Sequence, residues 1–73
     1  MESRSEKYAV VIERGDTSYG AYVPDLPGCI AVGDSLEEVE ALIHDAIREH
    51  IEVLRQFGAP VPEPSTKVVY VEA

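Results

Sequence analysis

Fourteen Asp and Glu, two His, one Cys and four Tyr are the side chains of this 73-residue sequence that could do chemistry. Two-metal phosphoryl transfer needs several carboxylates converging on ions about 4 Å apart. The spacing here does not offer that. Glu13 closes the first strand-like run, Glu72 follows Tyr70 and Val71, and the acidic residues of the long amphipathic stretch fall mostly on its polar side. Acidic side chains on such a face are usually solvated, so no enzymatic activity is expected. Glu40 and His44 stand four residues apart and could give two metal ligands, but a site needs three or four. His50 lies in the apolar stripe beside Ala46, Ile47 and Leu54. On a helix its ring would point roughly 120° away from that of His44, so the two cannot share a metal within one chain. His50 therefore reads as a hydrogen-bonded core or interface histidine, or as a pH-sensitive interface group. Cys29 reads as a small buried thiol. The sequence contains no Asn and nothing that fixes a base beside Cys29, so a Cys-His-Asn nucleophile is unsupported. No cofactor and no metal are expected.

Tyr8, Tyr19, Tyr22 and Tyr70 could stack nucleic-acid bases if a positive groove lay beside them. Lys7, Arg14 and Lys67 are too scattered to make one. The net charge of −8, with six Lys and Arg in total, repels phosphate backbones and anionic lipids. Direct contact with nucleic acid or a membrane is therefore not expected. A basic protein partner suits this surface, although acidity that only aids solubility is the commoner use. No apolar run approaches the length of a membrane helix. The charged residues 1–7 are not followed by a signal-peptide core with a cleavage site. The cytoplasm is the expected location.

Chemistry of this modest kind depends on how a small chain holds its shape. A domain this short buries only about 60% of its unfolded surface, so its core is marginal. A lone cysteine permits no intrachain disulfide, and no CxxC or Cys/His cluster suggests structural zinc. Assembly with another chain, as a dimer or tetramer, becomes the default expectation.

Residues 1–6 are polar and expected to be disordered; residues 7–73 are expected to form one domain. Residues 7–13 are β-branched and apolar on both alternate sets, predicting a central strand. Gly15 and Asp16 supply a turn. Residues 19–23 alternate as the second strand of a hairpin. Pro24 and Pro27 then remove backbone donors, and Gly28 can take positive φ. Residues 29–32 make a short third strand. A long helix follows, with Asp34 or Ser35 as cap, a capping-box spacing to Glu38, and Glu37, Glu38 and Glu40 in its first turns. Leu36, Val39, Leu42, Ile43, Ala46, Ile47, His50, Ile51, Val53, Leu54 and Phe57 share its apolar face, a stripe wider than the ~100° that covers a core. Part of that stripe is expected to face another subunit. Gly58 and Pro60 end the helix. Pro60, Pro62 and Pro64 make a stiff link to residues 67–71, read as a last strand apolar on both sides.

The expected fold is therefore α+β, in the order β-β-β-α-β. An antiparallel meander takes a fourth strand beside the first and parallel to it, giving a sheet order of 3-2-1-4 with the helix on one face. Such a sheet resembles a partial ribonuclease H-like fold.

At residues 20–39 a family resemblance becomes specific. Gly20-Ala21-Tyr22-Val23-Pro24-Asp25-Leu26-Pro27-Gly28-Cys29, followed by Gly33-Asp34-Ser35-Leu36-Glu37-Glu38, resembles the signature of the HicB-like antitoxins. That signature joins a Pro-Asp-Leu-Pro-Gly-Cys loop, a short strand, Gly-Asp-Ser/Thr and an acidic helix start. Residues 58–64 resemble the family's helix exit, so the likeness runs over about residues 7–72. It implies an antitoxin domain whose partner is a small basic HicA-like mRNA interferase. Typical members append a helix-turn-helix or ribbon-helix-helix segment. These 73 residues show none, so the expectation is a solitary module. An orphan homo-oligomer with another binding role is the alternative.

Residues 24–28 read in two ways. Pro and Gly shape most sharp strand connections, which is the commoner meaning; a loop so restricted also loses little entropy on binding. The candidate partner-binding residues are Asp25, Leu26, Pro27 and Gly28 with Glu37 and Glu38. Tyr8, Val10, His50, Leu54 and Tyr70 are the candidates for the core or a subunit interface.

Overall fold

The short connection between Arg14 and Tyr19 folds back with the Gly15 N–H donating to the Ser18 carbonyl at 2.7 Å, and this sets the register of everything after it. In the computed structural model, which describes residues 7–73, strands β1 (Val11–Arg14), β2 (Tyr19–Tyr22) and β3 (Ile30–Gly33) precede one helix, α1 (Leu36–Gln56). The disorder expected of residues 1–6 lies outside the described residues. Ile12 stands opposite Ala21 and Ala21 opposite Ala31, forming a row beneath the helix. Val11, Tyr22 and Ile30 form the neighbouring row on the other face, because side chains alternate along a strand. The core comprises Ala21, Val23, Leu26, Cys29, Val39 and Ile43.

Helix α1 is fixed tightly onto β3. Gly33 and Ser35 are two residues apart, so the helix begins directly over the strand that feeds it. A Cβ on Gly33 would lie 2.8 Å from the Val39 nitrogen, so only glycine lets helix and strand approach this closely. The Ser35 side chain accepts from the Glu38 N–H at 3.1 Å, and Glu38 accepts from the Asp34 N–H at 2.9 Å. The expected capping box thus forms with its return bond one residue early. At the other end Gly58 N–H donates to Arg55 and Ala59 N–H to Leu54, the Schellman pattern. The 21-residue helix is about 31 Å long at 1.5 Å per residue. It packs over β3 and β2 and does not cover β1.

The described residues form β-β-β-α, and the expected α+β order β-β-β-α-β with sheet order 3-2-1-4 is not formed. The sheet has three strands in the order β1-β2-β3, and residues 67–71 are not a strand of it. Among the described residues, the fourth strand needed for a ribonuclease H-like sheet is therefore missing. Tyr8, just before β1, donates its hydroxyl proton to the Pro62 carbonyl. Asp25, just after β2, then takes hydrogen bonds from Ser65 and Thr66. The link thus crosses the end of the sheet past β1 and emerges beside the loop between β2 and β3. It overshoots the edge on which the fourth strand was placed. The first strand also starts later than residue 7, because Val11 pairs with Tyr22 and the partner chain turns away at Pro24, which has no N–H to offer.

Candidate functional site

Two consecutive turns build the loop after β2. Leu26 N–H donates to Val23 at 3.1 Å and Cys29 N–H donates to Leu26 at 3.0 Å, so Pro24 and Pro27 each occupy the second position of a turn. Gly28, at φ 86°, takes the left-handed position the second turn requires. Val23 N–H donates to the Cys29 carbonyl at 3.2 Å and closes the double turn. The geometry points Leu26 inward, where it has no exposed surface, while Pro27 and Gly28 form the exposed tip.

Asp25 is the electrostatic centre of this loop. Its two carboxylate oxygens accept from the backbone N–H groups of Ser65 (3.0 Å) and Thr66 (2.9 Å), and from both their hydroxyls (3.0 and 2.9 Å). Hydrogen bonds to the ionised form, led by the Thr66 and Ser65 N–H groups, lower its pKa to about 2. Asp25 thereby anchors the segment after α1. No motif marked this contact in advance: its partners are forty and forty-one residues away.

Glu37 and Glu38 lie in the exposed first turn of α1. Their charges suit the positive end of the helix dipole. Glu37 is the freer for an outside cation, since Glu38 is engaged with the Asp34 N–H. Beyond them Asp45, Glu49 and Glu52 line the solvent side of the helix around Arg48. His44 sits on the surface, its Nδ1 3.8 Å from an Asp45 oxygen. Among the described residues no three or more His, Cys, Asp and Glu side chains gather as a metal site. Burial pushes the Cys29 thiol up, which disfavours the reactive thiolate.

The residues expected at a core or interface divide. Tyr8, Val10, His50 and Leu54 are half-buried, whereas Tyr70 is 95% exposed. His50 stands with Cys29, Ala46 and Val53 around a shallow depression on the β3 side of the helix. Tyr8 and Val10 belong to a larger groove of about 560 Å³ between β1 and α1, with Ile12, Ile43, Ile47 and Ile51 forming its apolar floor. Lys7, Glu40, His44 and Arg48 stand on its rim. The excess width of the helix stripe was the sequence signal for this groove.

This geometry defines a small α+β domain with a stiff loop at one end of β3, an acidic helix start at the other, and an uncovered apolar groove between β1 and α1. A family model described as the HicB-like antitoxin of bacterial toxin–antitoxin systems matches residues 8–72. The chain belongs to that family. Among similar curated proteins, a UPF0150 protein of Thermoplasma acidophilum is 34% identical over 68 residues, covering 92% of this chain and 99% of that protein. An uncharacterized 14.9 kDa protein of Haemophilus phage HP1 is 33% identical over 64 residues, covering 88% of this chain and 48% of its own length. The protein named Antitoxin HicB 2 of Photorhabdus laumondii is 31% identical over 65 residues, with 89% and 47% covered. The chain thus spans about half the length of the latter two. No solved structure gives a significant match. Among the described residues no helix is long and apolar enough to cross a membrane.

Proposed function

We propose that this chain is the antitoxin of a toxin–antitoxin pair: a non-catalytic cytoplasmic module that binds and neutralises a small basic mRNA interferase of the HicA type. The family match over residues 8–72 carries this reading, and the net charge of −8 supplies the complementarity. Glu37 and Glu38 at the helix start and Pro27 and Gly28 at the loop tip, at opposite ends of β3, are the two contact points proposed for the partner. Asp25 and Leu26 hold that loop in shape from within. Charge mainly speeds the encounter, while buried contacts set the residence time. The module also associates with itself, as a dimer or tetramer, through apolar surface that one chain leaves open.

The test is co-expression with a neighbouring small basic protein that arrests growth, followed by affinity measurement at two salt concentrations. Rescue of growth and tight binding that weakens with salt are expected. Glu37→Lys should slow association several-fold and flatten the salt dependence. A chain that neither rescues growth nor binds the basic protein overturns the antitoxin reading.

A further inference from the structure

One run of residues has no role in the single chain. Val68, Val69, Tyr70 and Val71 are 58%, 69%, 95% and 82% exposed. Four consecutive β-branched or aromatic residues in water are a poor tail and a good strand. The Asp25 anchor at Ser65 and Thr66 starts this run beside the loop after β2, and it does not pair with the edge of its own β1. That edge is itself unfinished. Among the described residues β1 pairs only with β2, and its other side offers open backbone groups. Apolar surface flanks the edge on both faces: Ile43, Ile47 and Ile51 on the helix side, Val11 and Tyr22 on the other. A strand that is apolar on both sides needs such a seat. The β3 edge fits less well: the helix packs directly on that strand, and the depression beside it is only about 270 Å³, with Glu49 and His50 standing among Cys29, Ile30 and Val53.

We propose that residues 67–71 of one copy add as a strand to the free edge of β1 in a second copy, antiparallel to it, and that the exchange is reciprocal. This rests on the self-association proposed above and specifies its surface. Charge selects the direction. Run antiparallel, Lys67 meets Glu13 and Glu72 comes beside Lys7; run parallel, Lys67 meets Lys7 and Glu72 comes beside Glu13. With Lys67 opposite Glu13, Val69 stands opposite Val11 and Tyr70 opposite Val10. Val68 and Tyr70 then enter the groove over Ile43, Ile47 and Ile51, while Val69 and Val71 join Val11 on the outer face. Main-chain hydrogen bonds hold the strand and alternate side chains give it register. Reciprocity doubles the buried area, bringing two short segments toward the ~1,600 Å² typical of a stable interface. It also closes the assembly at two chains.

Light scattering of the full chain over a range of concentrations should approach twice the 8.0 kDa of one chain. Val69→Pro removes a ladder N–H at an exposed position, so the helical circular dichroism should persist while the mass falls to that of one chain. The pair Val11→Cys with Val69→Cys should give a covalent dimer on oxidation. A wild-type monomer at every concentration overturns both this proposal and self-association. A dimer that survives Val69→Pro, or a cysteine pair that links only within one chain, overturns strand exchange and leaves self-association standing.

Discussion

On the β3 side, the sheet is roofed by its own chain: Gly33 lets α1 settle onto the strand, and Val39, Ile43, Leu26 and Cys29 fill the space with no side chain of theirs above 3% exposure. On the β1 side, the same helix stands off, and Tyr8, Val10 and Ile12 border an open apolar groove. The difference arises from connection length. A two-residue link after β3 dictates where the helix begins, and a helix of one width cannot roof three strands. The chain is self-sufficient where its connections are short, and needs something else where they are long.

If that contrast is right, damage on the roofed side should unfold the chain and damage on the open side should not. Leu26→Ala should cost the most, about 2–5 kcal/mol in urea denaturation, because it empties a fully buried site. Gly33→Ala should cost about 1–3 kcal/mol, since its Cβ would press on the Val39 backbone rather than on a movable side chain. Ser35→Ala should cost about 1 kcal/mol through the lost cap. Tyr70→Ala, measured in the monomeric Val69→Pro background, should stay within about 0.5 kcal/mol of that background. Equal losses at Leu26 and Tyr70 would erase the distinction.

Acid should separate the two regions as well. The Asp25 carboxyl is lowered from 3.8 to about 2 in the folded chain. Its contribution is complete above 3.8 and is lost as pH falls through about 2. Protease sensitivity after Thr66 should therefore rise across that window before the helix melts. Asp25→Asn should show the same sensitivity at neutral pH.

Much of this was legible in local sequence. The β1–β2 turn, the Ser35 cap, the Gly58 exit and the double turn around Pro24 and Pro27 are decided by neighbours a few residues apart. The family, too, showed in the joint spacing of residues 20–39. The path of the final segment was not legible, because Tyr8 with Pro62 and Asp25 with Ser65 and Thr66 decide it across forty or more residues. An apolar run such as residues 67–71 announces that it will be covered, but not by which chain. Leu26 shows the converse. Flanked by Asp and Pro it reads as a loop tip, yet two turns in succession reverse its direction and bury it.

The contrast between the two sides can be measured residue by residue with amide hydrogen exchange at low and high protein concentration. The account predicts that protection in β1 and residues 67–71 rises with concentration, while the relative protection of β2, β3 and the first half of α1 already stands at low concentration. Uniform protection of β1 and residues 67–71 at every concentration, or none at any, would contradict it.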